Sequence, residues 1–261
     1  MIKRSYQFIE KNNLKINLEY LDLLNSKGLL SFESLWNLKD SYFYYKKRYR
    51  TIEAYDLGGF KLYLKKYEFN LKEAENEWRN FSLLWEKGFP TLTPVVFGNK
   101  KDKVLIGTEE LKFPSSLKLL SEKLISPEIL LLKFSQFLAL FHENNFFHQD
   151  CYIGHFHYDA KKDMFYIMDV ARVKYNPKFK MRYLIKDLAQ LKYSFMETFK
   201  EQNLYWWDFF WKEYNKHRKE KLGKLIKFLI NKKAQLIDRH TQKIIKKGGE
   251  GVITYYKKIL I

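Results

Sequence analysis

The chain is short of several residue types, and each shortage excludes a class. It has one cysteine, Cys151, so no disulfide framework holds it, and a lone thiol fits a reducing compartment. Eleven glycines and five prolines among 261 residues are too few for collagen-like or low-complexity chains, and no fixed-period repeat runs through the sequence. Long apolar runs are missing too. The best candidate, ILLLKFSQFLALF, is interrupted by Lys133 and falls short of the roughly 18 residues that a spanning helix needs. The opening MIKRSYQFIEKNNLKINL is basic but has no apolar stretch followed by a small-residue cleavage site. The expectation is an unexported, non-spanning, cytoplasmic protein. Acid is the last shortage: 30 Asp and Glu stand against 48 Lys and Arg, a formal charge of +18. Such a field attracts nucleic acid, an anionic membrane face, or a phosphorylated or carboxylated substrate, and charge alone does not choose among them.

Aromatic residues are plentiful, at 18% of the chain, and the length suffices for one large domain or two lobes. Residues 1–40 are expected to form a helical extension, with Ser31 an N-cap in SFESLWNL. SYFYYKKRYR, TIEAYDL and FKLYLKKYEF then suggest three antiparallel strands, with Gly58-Gly59 as a hairpin turn needing positive φ. LKEAENEWRNFSLLWEKG places Ala74, Trp78, Phe81 and Trp85 at helical spacing, and TPVVFG and KVLIGTEEL add strand signals. Beyond about residue 113 the pattern is mainly helical, beginning with Ser126 and Pro127 at a helix start. HFHY and MFYIMDV flank the turn DAKKD as a second hairpin. The expected class is α+β: an N-terminal lobe over 1–112, with a small antiparallel sheet and one helix after the extension, and a larger helical lobe over 113–261. A cleft between the two is expected to hold the site.

FFHQDCYIGHFHY, residues 146–158, concentrates the chemistry. His148, Asp150, His155 and His157 have the ligand types of a transition-metal site. That reading leaves unexplained the lysine strand and the acidic helix upstream. Phosphoryl transfer explains more, because it asks for a carboxylate at the attacking hydroxyl, a second at the metal, and a lysine steadied by a helix carboxylate. HQDCYIGH followed by MDVAR keeps the offsets of the protein-kinase pattern H-R-D-x-x-x-x-N then D-F-G, with His155 in the asparagine position. The bland alternatives are a turn-capping Asp150 and hydrogen-bonded structural histidines; His148 is expected to brace the loop, and Asp187 to be structural. Lys61 and Lys65 share one strand face, Lys66 the other. The run YWWDFFW at 205–211 is expected to be core more than membrane contact.

Over about residues 45–197 the chain resembles the lipopolysaccharide core heptose kinases, the WaaP family. The likeness lies in YRTIEAYDLGGFKLYLK, ENEWRNFSLLWEKGFPTLTPVVFG, LIGTEEL, HQDCYIGHF, MDVARVK and KDLAQLKYSF, taken in order. It implies a protein-kinase-like fold, ATP and Mg²⁺ as cofactors, and a sugar of the lipopolysaccharide inner core, heptose, as acceptor. It implies Asp150 as the catalytic carboxylate, His155 and Asp169 as metal ligands, Lys65 as the nucleotide lysine and Glu77 as its partner. Glu109 to Leu111 resembles the hinge that meets adenine, and Arg172 a substrate-binding residue. Lys46, Lys47 and Arg48 could serve the phosphates in place of a glycine-rich loop. Peripheral contact with an anionic inner-membrane face follows from the substrate; nucleic acid is not expected as a partner. Gln149 stands where the family has arginine, and Ala171 where it has histidine, which leaves open a Kdo, other glycan or small-molecule acceptor. A non-catalytic nucleic-acid- or membrane-binding module on the same frame also stays open.

Overall fold

The computed structural model describes residues 2–47 and 50–248. The chain forms two compact units, Met1–Lys112 and Phe113–Ile261. The first holds a seven-stranded sheet and the second most of the helix, an α+β arrangement.

The first unit opens with a hairpin of β1 (Phe8–Lys11) and β2 (Leu14–Asn17), not with a helix. This corrects the helical extension expected over residues 1–40. Asn12 and Asn13 both take positive φ, 51° and 63°, which suits a tight hairpin turn. Leu14 and Ile16 alternate with Lys15 and bury completely or nearly so, against Val96 and Leu105 among others. Each such side chain stabilises the fold by roughly 1.5–3 kcal/mol, enough to recruit the segment into the sheet. Helix comes only afterwards, in α1 (Leu21–Ser26) and α2 (Phe32–Trp36). Ser31 caps α2 as expected, accepting from Ser34 N–H in a reciprocal capping box.

The expected strands follow: β3 (Phe43–Lys47), β4 (Arg50–Asp56) and β5 (Lys61–Tyr67), then α3 (Leu71–Glu86), β6 (Pro94–Lys100) and β7 (Lys103–Glu109). The sheet has seven strands in the order β1-β2-β6-β7-β5-β4-β3. Gly58 and Gly59, at φ 87° and 90°, make the two-residue turn between β4 and β5, closed by Leu57 N–H to Phe60 O at 2.8 Å. On α3, Ala74, Trp78, Phe81 and Trp85 are all buried, as their spacing requires.

In the second unit α4 (Ser116–Ser121) and α5 (Pro127–Glu143) precede the short β8 (Phe146–Phe147). A hairpin of β9 (Phe156–Asp159) and β10 (Met164–Ile167) follows, then β11 (Lys174–Tyr175), which pairs with β8. Among the described residues three helices follow: α6 (Lys180–Phe199), α7 (Asn203–Lys216) and α8 (Lys224–Lys246). Phe134 of α5 is the hub of an aromatic core, with ring centres 4.8 Å from Phe156, 5.4 Å from Phe165 and 6.0 Å from Phe210. Within 205–211, Trp207 and Phe210 are buried core residues, whereas Tyr205 is exposed. Among the described residues no helix is long and apolar enough to cross a membrane.

Candidate active site

In the second unit the loop from His148 to His155 is held by one face of α6. Asp187, Gln190 and Ser194, spaced at helical intervals, all point at it. Asp187 Oδ2 accepts from His148 N–H at 2.6 Å, and Oδ1 from Gln149 N–H at 2.7 Å. Gln190 Oε1 accepts from Cys151 N–H at 3.1 Å, and Ser194 Oγ from Ile153 N–H at 3.3 Å. Asp187 also meets His142 Nε2 at 3.3 Å, and burial drives the His142 pKa down, which keeps that ring a neutral donor to the carboxylate. A buried, irregular loop needs its backbone donors accounted for, and here side chains accept them. Asp187 thus has the structural role that the sequence suggests.

The histidines divide by their hydrogen bonds. His148 donates through Nε2 to Met168 O at 2.9 Å and accepts Asp150 N–H at Nδ1. Both ring nitrogens serve the backbone, and burial holds the ring neutral. His157 donates from Nδ1 to Phe113 O at 2.6 Å, and burial pushes its pKa down to about 4. His155 differs. Its Nδ1 donates to Asp150 O at 2.6 Å, which fixes the tautomer with the lone pair on Nε2. That atom lies 3.8 Å from Asp169 Oδ2.

The β9–β10 hairpin creates this meeting. Its register pairs Phe156 with Ile167, and Met168 N–H donates to His155 O at 2.8 Å, so the residues flanking the two strands face each other. Asp169 then takes a left-handed conformation, φ 52° and ψ 55°. Non-glycine residues hold that region at a cost, and such strain concentrates at functional sites. Asp150, His155 and Asp169 each offer one ligand atom, all within 4.8 Å of one another. Two carboxylate oxygens and one imidazole nitrogen at this spacing fit a divalent cation, and the oxygens suit a hard one. Among the described residues His148 and His157 do not join this group.

The Asp150 carboxyl is perturbed. Burial and the charge of Asp169 push its pKa up to about 6, against the opposing pull of Arg172, His148 and Lys186. Gln190 Nε2 donates to Asp150 Oδ1 at 3.4 Å, and Arg172 NH1 lies 3.9 Å from the same oxygen, with its side chain about half exposed. Ala171, by contrast, is buried.

In the first unit, Lys65 Nζ pairs with Glu77 Oε1 at 2.5 Å. Glu77 is wholly buried on α3, and its second oxygen accepts from Tyr67 O–H at 2.8 Å. Lys66, on the opposite strand face, pairs instead with Glu53, and Lys61 with Glu110 at 3.0 Å. Glu73, one turn before Glu77, meets Arg50 at 3.7 Å. A buried carboxylate with two donors holds one lysine in a fixed place. Glu109 ends β7; its carboxylate accepts from Tyr20 O–H at 2.9 Å, and its N–H donates to Thr93 O at 3.1 Å. Leu111 follows, half-buried, and Glu109 and Glu110 line a pocket of about 240 Å³ with Gly59, Phe60, Lys61 and Lys112. Of the three expected phosphate cations, Lys46 is exposed on β3; Arg48 and the Lys47 side chain lie outside the described residues.

Sequence reasoning missed Gln190, Ser194, Tyr67 and Tyr20. Gln190 and Ser194 carried a signal, since they follow Asp187 by three and seven residues and so share its helix face.

A model of the lipopolysaccharide kinase (Kdo/WaaP) family matches residues 36–227. No curated protein matches the sequence significantly. Among solved structures, WaaP in complex with acyl carrier protein is similar at 22% identity and a TM-score of 0.60, over 88% of this chain and 97% of that one. The bifunctional kinase-methyltransferase WbdD is similar at 12% identity and a TM-score of 0.47, over 76% of this chain and 52% of that one. The fold is protein-kinase-like, with an antiparallel-sheet first part and a helical second part.

Proposed function

The chain belongs to the lipopolysaccharide kinase (Kdo/WaaP) family, kinases that act on a sugar, and from that premise we propose that it transfers phosphate from ATP to a heptose hydroxyl of the lipopolysaccharide inner core. The observation that carries the reading is the grouping of Asp150, His155 and Asp169 within 4.8 Å. In this reading Asp150 is the catalytic carboxylate. Gln190 and Arg172 engage its Oδ1, which leaves the second oxygen to accept the proton of the attacking sugar hydroxyl. Asp169 and His155 Nε2 are the groups that would hold Mg²⁺. The ion, when bound, supplies positive charge that offsets the phosphate oxygens. Lys65, fixed by Glu77, binds the α- and β-phosphates, and the segment Glu109 to Leu111 meets adenine through backbone groups. Arg172 reaches the acceptor.

Heptose is supported by the ordered motifs over residues 45–197. Kdo is the second reading, favoured by the family's breadth and by Ala171 in place of histidine. Because the Ala171 methyl is packed into the fold, its effect on the acceptor would act through the neighbouring Asp169 and Arg172. We place the reaction in the cytoplasm, with peripheral contact at the anionic face of the inner membrane. An acceptor panel tests the assignment: dephosphorylated heptose-containing core, lipid A carrying Kdo alone, and free sugars, each with Mg·ATP. Phosphate on heptose is expected. Phosphate on Kdo selects the second reading, and transfer to none of the acceptors overturns the kinase assignment.

A further inference from the structure

Helix α8 carries seven Lys and Arg against one Asp, and it has a buried face and an exposed one. Ile230, Ala234 and Thr241 face inward, and the helix packs on α6. The opposite face carries Leu225, Phe228, Leu229 and Leu236, exposed at 70%, 53%, 40% and 62%. At 100° per residue these four fall within one sector, together with Lys232, Arg239 and Lys243. The only acid of the helix, Asp238, points away from that sector, toward the packed side. Lys232 Nζ lies 5.7 Å from the Phe228 ring centre, so cation and apolar group are interleaved and not segregated.

A monomer gains nothing by leaving four large apolar side chains in water on one helix face. Nucleic acid would use the cations but not the leucines. A protein partner would need a groove to receive a convex helix side, whereas a bilayer interface conforms to any convex face. Apolar side chains enter the acyl boundary while the lysine and arginine stems extend to lipid phosphates. Most of α8 lies beyond residue 227, where the family match ends. We propose that the exposed face of α8 is a docking surface for an anionic lipid bilayer. It deepens the peripheral contact suggested above and is independent of which sugar is phosphorylated.

The test uses the full chain in flotation assays with phosphatidylglycerol-containing vesicles and with purely zwitterionic phosphatidylcholine vesicles. Wild type should float with the anionic vesicles, and less so as salt rises. Replacing Leu225, Phe228 and Leu236 together by Gln should weaken that partition by about tenfold or more. Replacing Lys232, Arg239 and Lys243 by Gln should weaken it by about a hundredfold at low salt. Both triple variants should keep the wild-type melting temperature and phosphorylate a water-soluble acceptor at the wild-type rate, so a failure of docking is separated from a failure of the kinase reading. The proposal is overturned if wild type stays with the unbound protein, as it would if an acidic protein were the true occupant. It is overturned equally if the α8 variants float like wild type, or if only removal of residues 249–261 abolishes flotation.

Discussion

Gln149 donates twice to Asp187, through its backbone N–H at 2.7 Å and its side-chain amide at 2.9 Å. The residue sits at φ 65°, and its amide also reaches Tyr183 O at 3.1 Å. A neutral amide here braces the loop at the position where the family has arginine. Asp187→Ala would strip His148 and Gln149 of the acceptor for their buried N–H groups, at about 1–3 kcal/mol each. A fall in melting temperature on the order of 10 °C is expected by calorimetry. Gln149→Ala, which keeps the backbone bond, should cost less than half of that.

The lysine–glutamate pair of the first unit makes a different prediction. Lys65→Met leaves the Glu77 carboxylate buried, still accepting from Tyr67 O–H. Breaking a buried pair from one side typically costs about 3–5 kcal/mol, and the slight exposure of Lys65 places this case toward the lower end. The double change Lys65→Met with Glu77→Gln should recover much of the loss in denaturant unfolding, while neither form regains nucleotide binding by calorimetric titration.

Asp150 makes stability depend on pH. Its pKa is raised in the folded chain to about 6, above the ordinary 3.8, so folding favours the protonated acid. That contribution is fully present below about pH 4 and is lost as pH rises through about 6. Asp150→Asn should therefore be more stable than wild type at pH 7.5, by on the order of 2 kcal/mol, with the gap closing as pH falls toward 4. Thermal melts across that range, without divalent cation, check the sign. A gap that widened on acidification would contradict the raised pKa.

Much of this was legible in the chain. Strands β3 to β7, helix α3 and the β9–β10 hairpin follow from alternation, helical spacing and turn residues, because their side chains sort cleanly into buried and exposed faces. The N-terminal hairpin escaped notice although Asn12-Asn13 and the alternation Leu14, Lys15, Ile16 announce it. Four-residue strands carry too little pattern to stand out before the sheet they join is known. Asp150, His155 and Asp169 were readable from motif spacing. Which histidine offers a lone pair was not, since that depends on the carbonyl each ring meets across the loop. Gln190 could be placed on the helix face of Asp187, but not against Asp150, which is forty residues away in sequence.

Gln190 yields the most specific prediction about rate. Its amide donates to Asp150 and so favours the ionised form of that carboxyl. Gln190→Leu should lower kcat by about tenfold with the KM for ATP unchanged, and shift the acid limb of the pH–rate profile upward. A change in KM alone, with an unmoved limb, would assign Gln190 a packing role only.

In the proposed mechanism Asp150 serves the transfer of phosphate from ATP to a core sugar. Its most direct measurement is incorporation of labelled γ-phosphate into dephosphorylated lipopolysaccharide core, with wild type and Asp150→Ala side by side in Mg²⁺. Incorporation by wild type and a loss of at least about a thousandfold in the variant is the expected result. Equal incorporation by the two proteins would contradict it.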